Sequence, residues 1–137
     1  MTLAMIPLIT ALAMVESNNG RTSANVLQIT PVCVRDVNRI CRAHGCDWSY
    51  KLADRENFDK SRAIAIIYLT YWGNRYAEVT GKQPTAEVYA RIWNGGPNGW
   101  KKPQTLRYWR KVESVYKKTR KAYLRKQRKE VSGGEAV

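Results

Sequence analysis

The sequence predicts a single, mainly α-helical domain that ends in a strongly basic helix. Three observations carry that prediction. At 137 residues and 15.7 kDa the chain can bury one real core but is too short for two enzyme modules. Its apolar residues recur at helical spacing in successive stretches, punctuated by recognisable helix starts and stops. Hydrophobic residues make 44% and charged residues 26%, with five Trp and eight Tyr, a balance that excludes a disordered chain.

Taken in order, Pro7 suits the first turn of a helix that runs to about Ser17, where Asn18, Asn19 and Gly20 supply the turn or left-handed conformations that stop it. Residues 21–29, polar then apolar, read as a loop or short strand. Thr30 and Pro31 form a good N-cap and first position for a second helix, with Val34, Val37 and Cys41 at helical spacing and Gly45 at its end. Residues 47–57 read as an irregular polar connection. A long third helix is predicted over about 59–80, carrying Ile64, Ile67, Tyr68, Tyr71, Trp72 and Tyr76 and closed by Gly81. Its wide apolar face marks it as the central core helix. Residues 85–93 make a short helix, broken by the turn signal Asn94-Gly95-Gly96-Pro97-Asn98-Gly99. From about Gln104 a last helix carries Leu106, Trp109, Val112, Val115 and Tyr116 on one stripe. Only Tyr123 and Leu124 continue that stripe, so the helix is expected to leave the body there. The expected division is a body over 1–116 and a basic helical extension with a flexible end over 117–137.

The formal net charge of +13 points to polyanionic partners: nucleic acid, anionic lipid or an acidic wall polymer. Residues 1–100 hold 11 Lys/Arg against 8 Asp/Glu, whereas residues 101–130 hold 13 against 2, so the excess lies on the C-terminal helix. That helix reads either as a solvated run of repelling charges or as an attachment to an anionic envelope, and envelope binding is the expectation. A nucleic-acid-binding protein is the competing class. The cations concentrate in the tail, however, and no Arg/Lys-studded recognition helix follows a helix-turn unit in the body, so no specific nucleic-acid partner is expected. A third class is a membrane-disrupting cationic peptide joined to an inert domain.

The apolar run over residues 3–15 falls short of the roughly 20 residues of a membrane helix. It lacks a preceding Lys or Arg and is interrupted by Pro7, so it is not expected to act as a secretory signal, and synthesis in the cytoplasm is expected. Cys33, Cys41 and Cys46 are odd in number, which argues for at least one free thiol. Joined with His44 they match no standard zinc spacing. No metal or other cofactor is expected, small core residues are the default for the cysteines, and a Cys41–Cys46 disulfide is the alternative.

Glu16 is the most informative residue. On the first helix it falls in line with Ile9, Leu12 and Ala13, so a carboxyl shares the apolar face. Desolvation there raises its pKa, as a general acid near neutral pH requires; the alternative is a side chain frayed into solvent at the helix end.

Two further blocks bear on that choice: residues 16–31, Glu-Ser-Asn-Asn-Gly-Arg-Thr-Ser-Ala-Asn-Val-Leu-Gln-Ile-Thr-Pro, and residues 90–99, Ala-Arg-Ile-Trp-Asn-Gly-Gly-Pro-Asn-Gly. With Thr105-Leu106-Arg107-Tyr108-Trp109-Arg110-Lys111-Val112 they resemble, in order, the blocks of the soluble-type lytic transglycosylases, relatives of goose-type lysozymes. The resemblance covers about residues 5–115. It implies a lysozyme-like fold and cleavage of the β-1,4 bond between N-acetylmuramic acid and N-acetylglucosamine in peptidoglycan glycan strands, with Glu16 as the catalytic acid and base. It further implies that Ser17 positions substrate or carboxylate, that Gln28 faces the sugar cleft, that Asn94 holds an acetamido group or hydroxyl, and that Tyr108 sits near the carboxyl. Trp93 replaces the family Tyr and serves packing or sugar stacking. Asn25 stands at a family Gly, where Asn tolerates a left-handed conformation. Small size and the basic tail suit a phage-type lysis enzyme, a monomer that acts on the cell wall.

The expected reaction turns on a second carboxylate. None occurs between Glu16 and Asp36, and Asp36, beside Arg35 and Arg39, reads as a solvated charge. With Glu16 alone, the muramic acetamido group supports the anomeric centre and the sugar's own 6-hydroxyl attacks, giving a 1,6-anhydro product; hydrolysis would need a carboxylate from residues 47–59.

Overall fold

The computed structural model describes residues 5–18 and 24–135, with side chains as far as residue 132. Its helices are α1 (Met5–Glu16), α2 (Pro31–Ala43), α3 (Phe58–Thr80), α4 (Ala86–Gly95) and α5 (Thr105–Glu135), and no strand occurs among the described residues. Short 3₁₀ segments at Leu52–Glu56 and Gly99–Lys101 add a turn within the connections on either side of α3 and α4.

Helix α1, not α3, is the central helix. Its sequence carries no charge before Glu16, and Leu8, Ile9, Ala11 and Leu12 are buried as it packs on α3, α4 and α5. Seven of its twelve residues are buried, with Thr10 and Met14 exposed, whereas α3 buries one face only, through Ile64, Ala65, Tyr68 and Leu69. The described part of the apolar run that is too short for a membrane span, residues 5–15, supplies part of the core. Among the described residues no helix is long and apolar enough to cross a membrane.

Helix starts follow the local rules closely. Thr30 Oγ1 accepts from Cys33 N at 3.1 Å with Pro31 behind it, Asn57 Oδ1 accepts from Lys60 N at 3.0 Å, and Thr85 Oγ1 accepts from Val88 N at 3.3 Å. Gly81 closes α3 with φ 73° and donates to Ala77 O. The connection over 47–57 is tied down rather than loose: Asn38 Nδ2 donates to Tyr50 O at 3.0 Å and Tyr50 N donates to Asn38 Oδ1 at 2.8 Å.

The segment read as a loop or strand is a turn in its described part, residues 24–30, while Asn19, Gly20 and residues 21–23 lie outside the described residues. Asn25 Nδ2 donates to Ile29 O and Ile29 N donates to Asn25 Oδ1, at 2.9 and 3.0 Å. The left-handed residue here is Gln28, φ 52°, not Asn25. The Asn25 amide closes the turn, and Gln28 makes its left-handed step.

At the far side Thr105, fully buried, gathers the α4–α5 corner. Its Oγ1 accepts from Arg91 Nε at 2.8 Å and faces the carbonyls of Gly99 and Lys102 at 2.7 and 2.8 Å. Any Cβ on Gly99 would strike the Arg91 carbonyl, so only glycine lets this corner close. Helix α5 then runs unbroken past Tyr116, and Thr119 Oγ1 donates to Pro7 O at 2.8 Å, so contact with the body reaches a turn beyond Tyr116. Cys33, Cys41 and Cys46 are all free thiols, with Cys41 on the buried face of α2.

Candidate functional site

Glu16 ends α1 where four other segments meet around a cleft of about 740 Å³. One wall is the turn ending in Gln28, Ile29 and Thr30, and it continues along α2 through Val32, Arg35, Asp36 and Arg39. Helix α3 contributes Tyr68 and Trp72, one turn apart. The end of α4 contributes Trp93 and Asn94, followed by Gly96 and Pro97. Gly96 makes this last bend with φ 86° and ψ −170°, a conformation open essentially to glycine.

The Glu16 carboxyl is half-buried, and burial raises its pKa, an effect opposed by the hydroxyl of Tyr108. Tyr108 projects from α5 behind the carboxyl. Burial, and then the Glu16 charge, hold its phenol far above the ordinary range, so it stays a neutral donor. That hydroxyl is buried and close enough for the two groups to shift each other, yet it makes no hydrogen bond of good geometry.

Gln28, Trp93 and Asn94 share the cleft with Glu16. Gln28 Nε2 donates to Asn25 O at 2.9 Å, so the left-handed residue is pinned at the rim. Trp93 does two things at once: it packs edge-on against Tyr68, ring centroids 5.8 Å apart, and presents its remaining surface to the cleft. Ser17 is buried, donates from Oγ to Ala13 O at 2.6 Å and does not line the cleft.

Asp36 departs from the sequence reading. It is not a solvated charge: its side chain keeps 20% of its exposure, lines the cleft, and accepts from Trp72 Nε1 at 2.8 Å and Arg39 Nη2 at 2.7 Å. Trp72, Tyr68 and Arg39 were likewise outside the motifs. The signal that finds them is spacing: Val32, Arg35, Asp36 and Arg39 at i, i+3, i+4 and i+7 form one face of α2, and Tyr68 and Trp72 one face of α3. Cys33, also in the cleft, is pushed up to about 12 by burial and by the Asp36 charge, which keeps it an inert thiol at neutral pH. Among the described residues no three His, Cys, Asp or Glu side chains gather as a metal-binding group.

No family model matches the chain, and no solved structure matches it. A protein named Lysozyme from Magallana gigas is 55% identical over 100 aligned residues, which cover 58% of this chain and 73% of the relative. The chain belongs to the lysozyme family. A second member, Lysozyme 1 of Crassostrea virginica, is 29% identical over 119 residues, covering 72% of this chain and 65% of its own length. In this lysozyme-family chain the half-buried carboxyl at the end of an apolar helix has amide and indole side chains around it in one cleft.

Proposed function

We propose that the chain cleaves the β-1,4 bond between N-acetylmuramic acid and N-acetylglucosamine in peptidoglycan, with Glu16 delivering the proton to the leaving oxygen. The observation that carries this reading is the Glu16 carboxyl, kept partly out of water, raised in pKa and open to a cleft lined by amide and indole side chains. The relatives' name, Lysozyme, supports the substrate class. Trp72 and Trp93 offer ring faces to sugars, and Gln28 and Asn94 offer paired amide donors and acceptors to acetamido groups and hydroxyls. Tyr108 stands close enough to the carboxyl to lower its pKa, and Ser17, bonded to Ala13, fixes the helix end on which Glu16 stands.

Hydrolysis is the reaction placed first, because a second carboxylate shares the cleft. Asp36 is a candidate for the second carboxylate that hydrolysis calls for, held in place by Arg39 and Trp72. The second reading is transglycosylation to a 1,6-anhydro end, as in the lytic transglycosylases. It is favoured by the way both Asp36 oxygens already hold donors, which leaves Glu16 as the carboxyl free to move a proton. The far half of α5, dense in Lys and Arg, would hold the enzyme on an anionic envelope, and a phage-type lysis role at the cell wall fits that arrangement.

Mass spectrometry of fragments released from purified peptidoglycan tests both levels. Fragments with reducing ends are expected. Products about 18 mass units lighter and resistant to borohydride would establish the anhydro route instead, and no cleaved glycosidic bond at all would refute the proposed activity.

A further inference from the structure

The α2 wall of the cleft carries a charge that proton donation by Glu16 does not use. Val32, Arg35, Asp36 and Arg39 front the cleft along about 10 Å of helix. Arg39 is engaged, its Nε and Nη2 donating to Asp36 Oδ1 at 3.1 and 2.7 Å, while its guanidinium lies 5.6 Å from the centre of the Tyr71 ring. Asp36 Oδ2 in turn accepts from Trp72 Nε1 at 2.8 Å. The pair thus cancels its own charge and fixes the Trp72 ring as a platform.

Arg35 is what remains. It is exposed, fronts the same cleft one turn before Arg39, and pairs with no carboxylate among the described residues. A free guanidinium beside a sugar-binding platform has nothing to recognise on a neutral N-acetylglucosamine polymer. Muramic acid differs from that sugar by its 3-O-lactyl ether, which carries either a free carboxylate or an acidic peptide, and a planar guanidinium binds carboxylates through two parallel hydrogen bonds.

We infer that Arg35 marks an anion subsite on the α2 wall, which takes a carboxylate carried on the 3-O substituent of muramic acid and so selects acidic over neutral glycans. The inference rests on the glycan reading above and names what the cleft discriminates.

Its test uses the full chain carrying Glu16→Gln, which holds ligand without turning it over, with folding checked by circular dichroism and occupancy read from tryptophan fluorescence at Trp72 and Trp93. Three soluble oligomers of equal sugar number are compared: N-acetylglucosamine alone, muramyl glycan stripped to free lactyl carboxylates, and muramyl glycan bearing peptide stems. At least one acidic oligomer binds about tenfold more tightly than the neutral one, a margin that shrinks with salt, and the tighter of the two identifies the lactyl group or the peptide as the source. Arg35→Ala removes the margin and Arg35→Lys restores part of it. Arg42→Ala, exposed on the same helix outside the cleft, leaves it in place.

Equal affinity for all three oligomers, or a margin that survives Arg35→Ala, overturns the subsite. Binding with the margin but no cleavage by the protein with Glu16 intact would refute the proposed activity and leave the subsite standing. Cleavage without the margin does the reverse, and absence of binding to any oligomer overturns both.

Discussion

A carboxyl that ends an apolar helix is subject to two opposed effects, and at Glu16 desolvation outweighs the Tyr108 hydroxyl. The neutral form therefore persists above the ordinary value of 4.5, and activity that needs the acid form falls as pH rises through the raised pKa. The same shift acts on stability. Between 4.5 and the raised value the unfolded chain releases its proton first, so stability present below 4.5 is lost as pH climbs through the folded-state pKa. Glu16→Gln removes that loss. The variant is expected to keep its helical spectrum, to lose about 10²-fold or more in wall-clearing activity, and to melt above the parent at neutral pH but level with it below 4.5. Retained activity, or a variant that melts lower at neutral pH, would refute the assignment. Spacing on one helix drew attention to Glu16, and the resembling motif blocks decided between a buried acid and a frayed side chain. Tyr108, 92 residues away, came only through a resembling motif.

At the scale of elements, the corner between α4 and α5 sets where Trp93 and Asn94 stand. Thr105 Oγ1 has one proton for two facing carbonyls and one lone pair taken by Arg91 Nε, so the buried corner depends on this hydroxyl. Thr105→Val keeps the shape but strands those partners and is expected to cost about 2 kcal/mol. Thermal melting should show a fall of about 6–10 °C, with Thr105→Ser recovering most of it. An unchanged melting temperature would show the corner to be held by packing alone. The turn signal over 94–99 was legible as a break, yet Asn94 and Gly95 belong to the last turn of α4. A Cβ on Gly95 would meet the Thr105 methyl, so glycine at this helix end lets α4 and α5 approach closely.

Across the whole molecule α5 plays two parts, bracing α1 in its first half and carrying charge in its second. Because Thr119 bonds to Pro7, removing the chain after Tyr116 should lower stability by about 1 kcal/mol through that bond, seen as an earlier urea midpoint. Neutralising charge separates the two parts more cleanly. Changing the exposed Lys117, Lys118, Lys121, Arg125, Lys126, Arg128 and Lys129 to Gln leaves Thr119 and helix propensity in place. This variant is expected to lose about tenfold more activity on whole envelopes than on soluble glycan fragments at low salt, and the gap should close as salt screens the charges. Equal losses on both substrates would place the basic half in the fold rather than at the envelope.

Helix starts, helix ends and the apolar face that includes Glu16 were written in the sequence, because a cap or a face is decided by residues within about four positions of one another. Thr30 with Pro31, Thr85, and Gly81 could be read without any knowledge of the fold. Which helix lies at the centre could not. The aromatic richness of α3 suggested a core, but those rings serve one buried face and the cleft, while the plainer α1 buries most of its residues and leaves Thr10 and Met14 exposed. Asp36 makes the same point at the site. Its sequence neighbours are two arginines, which suggest a solvated ion pair, and only the packing of α2 on α3 brings Trp72 Nε1 to it and turns it into the cleft. Local order follows from short-range sterics and hydrogen bonds, whereas the site is made by how helices cross, a property of side chains far apart in the chain packing together.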